Sequence, residues 1–180
     1  ETCSGAQKLS SDAVVAMLNH LDSGEGRVGL QAAEAERMRE DLTSPQGLFE
    51  RGKTSHFLLE CTAPLGRLTH VLLWTDGTGP DPDWHCYQVE VAGLSTVGSR
   101  TSFPRNDWLG EGSSLPEWAP REMVSACQSS PSSAWALLEA GTPLTPHPPP
   151  APSSWKYRIE VYTTRLRDAG TDVEVFITLR

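Results

Sequence analysis

The fold of this chain is decided by the stretch 48–109, which reads LFERGKTSHFLLECTAPLGRLTHVLLWTDGTGPDPDWHCYQVEVAGLSTVGSRTSFPRNDWL. Short apolar runs at 56–59, 68–74 and 84–91 alternate in it with turn-forming residues, and the segment 75–83 is rich in Gly, Pro and Asp. In the third run, the apolar residues at 87, 89 and 91 alternate with Gln88 and Glu90, which is the period of a half-buried strand. Runs of this length separated by turns predict an antiparallel sandwich or barrel.

A second strand-like stretch occupies the C-terminal end of the chain. Its first half alternates Tyr157, Ile159 and Val161 with polar or charged residues. Its second half alternates apolar residues at 173, 175, 177 and 179, and the two halves are separated by a turn at 167–172 that contains Gly170. Two alternating strands joined by a glycine-bearing turn predict a β-hairpin.

Five elements of the central stretch carry a resemblance to a known family. In chain order they are Phe49-Glu50-Arg51-Gly52, Pro64-Leu65-Gly66, Trp74-Thr75-Asp76-Gly77, Trp84, and Phe103 followed by Asn106-Asp107-Trp108-Leu109. This order resembles the later part of a PLAT (lipoxygenase-homology) domain, and its ending is most similar to that of polycystin-type and tandem lipoxygenase-homology proteins. The C-terminal stretch, with its Ala-Gly-Thr-Asp turn at 169–172, resembles the opening of the same domain.

The beginning of the family pattern therefore stands at the C-terminal end of this chain, after its remainder. One interpretation is that 155–180 folds back and supplies the first hairpin of the sandwich; the alternative is that it begins a second, incomplete module. An isolated hairpin is marginal in water, and a sandwich without two strands has unpaired edges. We therefore expect a mainly β fold, an antiparallel eight-stranded PLAT-like sandwich with short added helices, completed by the C-terminal segment.

The chain divides into four segments on this interpretation. They are a helical N-terminal extension (1–45), the main part of the sandwich (46–110), an irregular and proline-rich linker (111–154), and the C-terminal hairpin (155–180). In the extension, apolar spacing predicts a helix at 12–21 with Ser11 as its N-cap, and helix-forming residues predict a second helix at 31–42. Short helices are also predicted at 121–127 and 132–140.

The net charge and the spacing of the cysteines limit which kinds of partner and which cellular compartment we expect. The formal net charge is −8, which argues against nucleic acid as a partner and against unaided attraction to anionic lipid. No segment resembles a signal peptide, and no apolar run approaches the roughly 18 residues that span a bilayer. Because Cys3, Cys61, Cys86 and Cys127 are irregularly spaced, we expect reduced thiols and a cytoplasmic location, peripheral to a membrane where one is contacted; the alternative is two disulfides.

The sequence offers little for catalysis. It contains no nucleophile elbow, zinc-protease motif, P-loop or dinucleotide-binding glycine motif. A zinc site from His70, His85 and Cys86 would need a fourth ligand, and no base can be assigned to Cys86 as a nucleophile. We therefore expect that the chain is not an enzyme.

Two groups of residues are candidates for binding. The resemblance implies calcium as a candidate cofactor, with Asp76, Gly170 and Asp172 at positions that match the motif of the family; the alternative is that these are ordinary turn residues. Among the tryptophans, we predict that Trp84, which follows the acidic turn, is exposed and contacts a partner or a membrane. Trp74 and Trp108 are predicted to lie in the core.

The resemblance implies a non-catalytic interaction module that mediates protein–protein or peripheral membrane and lipid contacts, with calcium as a modulator. The alternative is a regulatory domain that brings a lipid-metabolising enzyme to a membrane. In both cases the expected partners are a protein or a lipid surface rather than nucleic acid.

Overall fold

The computed structural model describes residues 7–24, 32–43, 47–77, 83–94, 100–109, 117, 119–121, 123–124, 134–141 and 155–180. Two helices and eight strands have their bounds within these residues. In chain order the elements are β1 (Gln7–Lys8), α1 (Ser11–Asp22), α2 (Ala32–Leu42), β2 (Thr54–Cys61), β3 (His70–Thr75), β4 (His85–Gly93), β5 (Arg100–Trp108), β6 (Trp135–Glu139), β7 (Trp155–Thr163) and β8 (Val175–Leu179). Most of the predicted linker (111–154), including all of 142–154, lies outside the described residues.

The strands form two four-stranded antiparallel sheets. The first has the order β1-β8-β3-β6, and the second has the order β2-β7-β4-β5. Side chains from the two inner faces meet in one apolar core, which includes Phe57, Phe103, Ile159 and Ile177. The predicted antiparallel eight-stranded sandwich with short added helices is confirmed.

The C-terminal segment supplies an inner strand to each sheet. β7 pairs with β2 along its whole length, from Thr54 opposite Tyr162 to Cys61 opposite Trp155, and it pairs with β4 on its other side. β8 pairs with β3 on one side and with the short β1 on the other. The strands of this segment are therefore surrounded by strands from the rest of the chain.

One detail of the prediction for this segment is wrong, because β7 and β8 do not pair with each other. They lie in opposite sheets, so the connection 164–174 crosses from one sheet to the other instead of forming a hairpin turn. Alternation of apolar residues reports only that one face of a strand is buried, and this condition holds equally for paired strands and for strands that face each other across a core.

The helices cover the outer face of β2. Met17 and Leu21 of α1 pack against Ala35 and Met38 of α2, and this small cluster contacts Leu58. The predicted helices are present, but the N-cap of α1 is Ser10 rather than Ser11, and its side chain makes no capping hydrogen bond.

The outer face of the other sheet is covered differently. Met123 is fully buried there against Leu72 and Trp74, and the ring of Trp74 stacks on Phe176 with 4.1 Å between their centroids. Trp74 is thus buried as predicted. Arg121, Met123 and Val124 are helical, which agrees with the start of the helix predicted at 121–127, and Cys127 lies outside the described residues.

The helix predicted at 132–140 is wrong. Trp135–Glu139 form strand β6, which pairs with β3 so that Trp135 lies opposite Trp74 and Glu139 opposite His70. The Ala-Leu-Leu-Glu sequence favours a helix when it is considered alone, but backbone pairing at the edge of a sheet overrides that weak preference.

The state of the cysteines also differs from the prediction of reduced thiols. Cys61, at the end of β2, is disulfide-bonded, and its partner lies outside the described residues. Cys86 is a free, fully buried thiol. Irregular spacing did not reveal the disulfide because disulfide pairing cannot be deduced from the spacing of cysteines in a sequence.

The length and hydrophobicity of the helices bear on whether they could cross a membrane. Neither helix in the described part of the chain is long and apolar enough to cross a bilayer.

Candidate functional site

Several connecting segments meet at one end of the sandwich, which we call the loop end. β2 begins here at Thr54 and β3 ends here at Thr75, and the pairing of His85 with Trp108 and of Thr75 with Val175 places the adjoining strand ends beside them. The described residues of the turn before β2 and of the connections 76–84 and 164–174 therefore lie together, with Leu109 after β5 beside them. Loops on a rigid sheet scaffold are where binding residues usually occur.

The Phe-Glu-Arg-Gly turn at 49–52 is fixed to the other segments by its backbone. The Gly52 amide donates to the Thr164 carbonyl at 2.8 Å, and the Phe49 amide donates to Ser55 Oγ at 3.0 Å. Gly52 has a φ of +73°, a conformation that favours glycine. The turn is thus held firmly against the connection that crosses the sandwich.

Gly170 has a steric role in the same place. A Cβ atom at this position would lie 3.2 Å from the Phe49 carbonyl oxygen and 3.3 Å from the Arg51 amide nitrogen. Close approach of two backbone segments therefore accounts for glycine here, whether or not a metal is bound nearby.

The prediction that Trp84 is exposed and contacts a partner is wrong. Its side chain is completely buried, its indole Nε1 donates to Thr163 Oγ1 at 3.1 Å, and its ring makes an edge contact with Phe49 at a centroid distance of 5.1 Å. Trp84 follows a turn, but its side chain points between the sheets and holds the end of β7 beneath the loop end. Its role is structural.

Trp108 has the exposure that was expected of Trp84. Its side chain is 38% exposed, which contradicts the prediction that it lies in the core, and its ring packs edge-on against His85 at 5.1 Å. The pairing of β4 with both neighbours shifts between Cys86 and Gln88, and Asn106 has a φ of +50°. An irregularity of this kind redirects the side chains that follow it, and single-sequence periodicity does not reveal it.

Two more exposed apolar side chains accompany Trp108. Tyr87, at the shift in register, is 48% exposed, and Leu166, in the connection after β7, is 52% exposed. Sequence reasoning missed both residues. Tyr87 was counted with the buried side of a regular strand, although it lies at the irregularity.

A cavity of about 710 Å³ opens between these residues, and we call it the cationic pocket. Its lining includes Lys53, His85, Tyr162, Thr164 and Arg165, and Tyr87 and Leu166 contribute apolar surface. No aspartate or glutamate lines it among the described residues. The chain therefore carries a local positive region although its net charge is −8.

Tyr162 is held at this pocket by a cluster of charged residues on the outer face of the second sheet. Its hydroxyl donates to Glu160 Oε2 at 2.9 Å, and Arg100 Nη2 donates to the same oxygen at 2.7 Å. Arg100 also pairs with Glu90. Burial, together with the charge of Glu160, raises the pKa of Tyr162, so its hydroxyl stays protonated.

The same cluster attaches helix α2 to the sheet. Arg158 is 3% exposed and pairs with Glu34 at 3.0 Å and with Glu160 at 3.3 Å. Burial alone would raise the pKa of Glu160, but a hydrogen bond from His56 and the charge of Arg158 outweigh it and hold the pKa at about 2. Glu160 is therefore a carboxylate under ordinary conditions, at the centre of a buried ionic cluster.

A second cavity of about 500 Å³ lies beside the cationic pocket, and we call it the acidic pocket. It is lined by carboxylates from Glu50, Asp83, Asp168 and Asp172, together with Arg51, Gly170 and Trp108. Since the ring of Trp108 also contacts His85 of the cationic pocket, this aromatic pair stands between two pockets of opposite charge.

The three residues predicted to hold calcium are only partly brought together. Gly170 and Asp172 line the acidic pocket, whereas Asp76 is not part of its lining and Asp83 is. Across the described residues, no three histidine, cysteine, aspartate or glutamate side chains converge closely enough to hold a metal ion. The described carboxylates therefore do not form a calcium site by themselves, since calcium takes six to eight oxygen ligands.

Cys86 does not have the properties of a catalytic nucleophile. Burial raises the pKa of the Cys86 thiol to about 12, so the nucleophilic thiolate is not available near neutral pH. Zinc ligation by His70, His85 and Cys86 has no support in the described residues.

Comparison with known proteins gives a consistent result. The family model of the PLAT/LH2 domain matches residues 26–117. Polycystin-1-like protein 3 of Homo sapiens is 35% identical over 83 residues, which is 46% of this chain and 5% of that protein. Lipoxygenase homology domain-containing protein 1 of Homo sapiens is 28% identical over 139 residues, which is 77% of this chain and 6% of that protein.

The relatives that match this chain are much longer proteins. The chain spans about a twentieth of the length of the relatives that it matches. The family model ends before β7 and β8, although these strands complete both sheets. No solved structure matches the chain.

Proposed function

Because the chain belongs to the PLAT/LH2 domain family, we propose that it is a non-catalytic interaction module that contacts a membrane surface or a partner protein through the loop end. Domains of this family are protein- and lipid-interaction modules, and those of the relatives are non-catalytic. The proposed location of the contact surface rests on the exposed side chains of this chain.

The observation that carries the proposal is the distribution of exposed apolar residues. Five large apolar side chains are exposed in the part of the chain that the structure describes, and three of them, Tyr87, Trp108 and Leu166, belong to the loop end. Aromatic residues with one exposed edge suit both membrane interfaces and protein contacts. The other two, Val15 and Leu137, are single exposed residues on α1 and β6.

Charged residues around these three side chains support the same location. Lys53 and Arg165 line the adjoining pocket, and Arg167 is exposed on the same connection. An anionic surface would meet positive charge here even though the whole chain is negative, because screening limits electrostatic attraction to about 8–10 Å.

A pair of double variants tests the proposal. Trp108→Ser with Leu166→Ser removes apolar surface from the loop end, and Val15→Ser with Leu137→Ser removes comparable exposed surface elsewhere. We expect the first pair to weaken co-sedimentation with lipid vesicles, or recovery of a partner protein, by about tenfold or more, since burying such side chains contributes roughly 1.5–3 kcal/mol each.

The control pair should bind like the wild type, and both pairs should melt near the wild-type temperature because the replaced side chains are exposed. Equal binding by the loop-end pair and the wild type, or equal losses in the two pairs, would exclude the loop end as the contact surface.

Calcium modulation is a further part of this proposal. Asp172 and Gly170 line the acidic pocket with Asp83, Asp168 and Glu50, so negative charge is concentrated there, but a complete site would need additional oxygen ligands from backbone or water. If calcium binds at the acidic pocket, it raises the melting temperature, because a ligand that binds only the native state stabilises it.

Two substitutions locate such an effect. Asp172→Asn should remove a calcium-dependent rise in melting temperature, and Asp76→Asn should leave it intact because Asp76 does not line the pocket. A rise that is lost in Asp76→Asn and kept in Asp172→Asn would place calcium away from the acidic pocket.

The disulfide bears on the compartment in which the module acts. We propose an oxidising compartment rather than the cytoplasm predicted from the sequence, since Cys61 is disulfide-bonded and structural disulfides are rare in reducing compartments. Mass spectrometry of the alkylated native protein tests this proposal. Recovery of Cys61 as a labelled thiol from cells, without reductant, would contradict it.

A further inference from the structure

We infer that the cationic pocket binds a phosphate monoester. The inference rests on the proposed function for the placement of this pocket at the contact surface, but it concerns a specific ligand group and can be tested in the absence of any membrane or partner protein.

The first argument is the charge of the lining. Lys53 and Arg165 both line the cavity. Among the described residues, no carboxylate lines the cavity, and neither Lys53 nor Arg165 forms an ion pair. Guanidinium and ammonium groups are the usual partners of phosphate oxygens, and they are effective when no protein carboxylate competes for them.

The second argument is the presence of buried polar atoms without protein partners. The His85 side chain is only 6% exposed, and its Nδ1 atom has no hydrogen-bond partner among the described residues. The buried Oγ1 atom of Thr164 also has no hydrogen-bond partner there. Both residues line the cationic pocket. Buried polar atoms almost always have partners, so two such atoms in one cavity point to a polar ligand.

The third argument is that the backbone around the pocket is already organised. The Thr163 amide donates to the Lys53 carbonyl at 3.0 Å, and the Thr164 amide donates to the His85 carbonyl at 3.3 Å. These bonds join the three segments that carry the cations, the histidine and the threonine. A pocket that is formed before binding loses less conformational entropy when the ligand enters.

The absence of a side chain at Gly52 leaves room for Arg165 to line the cationic pocket. A Cβ atom at Gly52 would lie 2.8 Å from Arg165 Cγ, so the stem of Arg165 lies directly over the glycine. This contact keeps the guanidinium of an otherwise exposed residue near the cavity, since the stem packs on the turn that fixes one wall.

The size of the cavity indicates what else the ligand carries. About 710 Å³ is much more than a phosphate group occupies, and it is in the range of pockets that hold organic ligands. Tyr87 and Leu166 add apolar surface at its exposed edge. A phosphate ester with an organic remainder fits this lining, and either a phospholipid headgroup or a soluble phosphate ester would supply it.

Binding is measured with two probes. Glycerol 3-phosphate is titrated into the full chain by calorimetry, and vesicles of phosphatidylcholine are compared with vesicles in which part of this lipid is replaced by phosphatidic acid. The test variant is Lys53→Gln with Arg165→Gln, and the matched control is Arg37→Gln with Arg67→Gln, two exposed cations on α2 and at the opposite end of the sandwich.

We expect the test variant to bind the phosphate probe at least about tenfold more weakly than the wild type, because hydrogen bonds to charged groups are among the stronger ones. The control variant should bind like the wild type. Thr164→Val should also weaken binding while leaving the melting temperature unchanged, because no hydrogen bond of its hydroxyl within the described protein is lost.

The outcomes distinguish a lipid headgroup from a soluble phosphate ester, and they distinguish failure of this inference from failure of the proposed function. Binding of the soluble ester that is lost in the test variant supports the inference even if no vesicle is bound and the proposed membrane contact fails. Binding restricted to phosphatidic acid vesicles, and lost in the test variant, supports it with a lipid headgroup as the source. If neither probe binds, or if the test variant binds both like the wild type, the inference is wrong.

Discussion

Shortening a buried side chain in β7 or β8 should destabilise the whole sandwich. Ile159 lies in the middle of β7 and is 1% exposed, and Ile177 lies in β8 and is fully buried. Ile159 is opposite Phe57 of β2 and Val91 of β4. If both strands are integral to the core, Ile159→Ala and Ile177→Ala each remove contacts with parts of the chain that precede residue 110.

The expected size follows from burial. Replacing a fully buried isoleucine by alanine destabilises a protein by about 2–5 kcal/mol, the lost transfer free energy plus the cavity that remains. For a chain of this length, 1 kcal/mol lowers the melting temperature by about 2–4 °C, so each variant should melt roughly 5–15 °C below the wild type. Leu137→Ala is the control, because Leu137 is 36% exposed on an edge strand and its loss should be small.

Thermal unfolding followed by circular dichroism and by tryptophan fluorescence measures the effect. Five of the six tryptophans precede the C-terminal segment, and Trp84 is fully buried against Phe49, so the fluorescence signal comes mainly from the rest of the sandwich. A single transition, shifted equally in both signals, is the expected result. The argument would be refuted if both isoleucine variants melted with the wild type, or if circular dichroism shifted while the fluorescence transition stayed in place.

Three further predictions concern charge, reactivity and backbone contact. Glu160→Gln should destabilise the fold by about 3–5 kcal/mol above pH 4.5, because Arg158 loses a buried partner. Since the pKa of Glu160 falls from 4.5 to about 2 on folding, urea titrations should show this difference shrinking as the pH falls from 4.5 towards 2. Iodoacetamide at neutral pH should leave Cys86 unlabelled until urea unfolds the chain; rapid labelling of the native protein would contradict its burial. Gly170→Ala should lower the free energy of unfolding by about 1–3 kcal/mol, because the added Cβ atom would meet the Phe49 carbonyl oxygen. Gly47→Ala is the control and should be tolerated, because the nearest neighbour of its Cβ atom is the flexible Glu50 side chain at 3.6 Å. Equal melting temperatures of the two variants would contradict the steric argument.

Much of the sandwich could be predicted from local patterns. β2, β3 and β4 lie where short apolar runs and alternation indicated strands, because burial of one face leaves that trace in the sequence. Which strand pairs with which is not recorded in the sequence in this way. The strands of the C-terminal segment satisfied the pattern of a hairpin equally well, and only the connection 164–174, which is long for a tight turn, indicated that they lie in opposite sheets.

β6 shows the opposite failure, in which local preference pointed to the wrong structure. Its five residues contain good helix formers, yet Ala136 and Leu138 are buried while Leu137 is exposed, which is the alternation of a strand. A pattern over five residues is too short to distinguish the two periods. The pairing with β3 decides the structure, and that information lies far away in the sequence.

The location of the candidate site stays a prediction, but the predicted exposures of two tryptophans were wrong. Asp83, Gly170 and Asp172 line one pocket at the loop end, whereas Trp84 is buried and Trp108 is exposed, the reverse of the prediction. Which side of a strand end a tryptophan occupies depends on register, and the shift between Cys86 and Gln88 changes that register by one residue. The cationic pocket was missed because Lys53, His85 and Arg165 are distant in sequence and join only through β2, β4 and β7.

The separation of charge at the loop end changes the conclusion drawn from net charge. A total of −8 predicts repulsion from an anionic surface, but screening over about 8–10 Å means that an approaching surface meets only the nearest groups. The cationic pocket and the acidic pocket lie on either side of the Trp108 and His85 pair, so one side of the loop end attracts an anionic surface while the other side is repelled. This asymmetry would orient the module as it binds, with Tyr87 and Leu166 facing the surface, Trp108 at the margin of the contact, and the carboxylates of the acidic pocket farther from the surface. Added salt should therefore weaken binding of the wild type, and it should have a smaller effect on Lys53→Gln with Arg165→Gln, in which the attractive side has been removed; an equal salt dependence in both proteins would contradict this orientation.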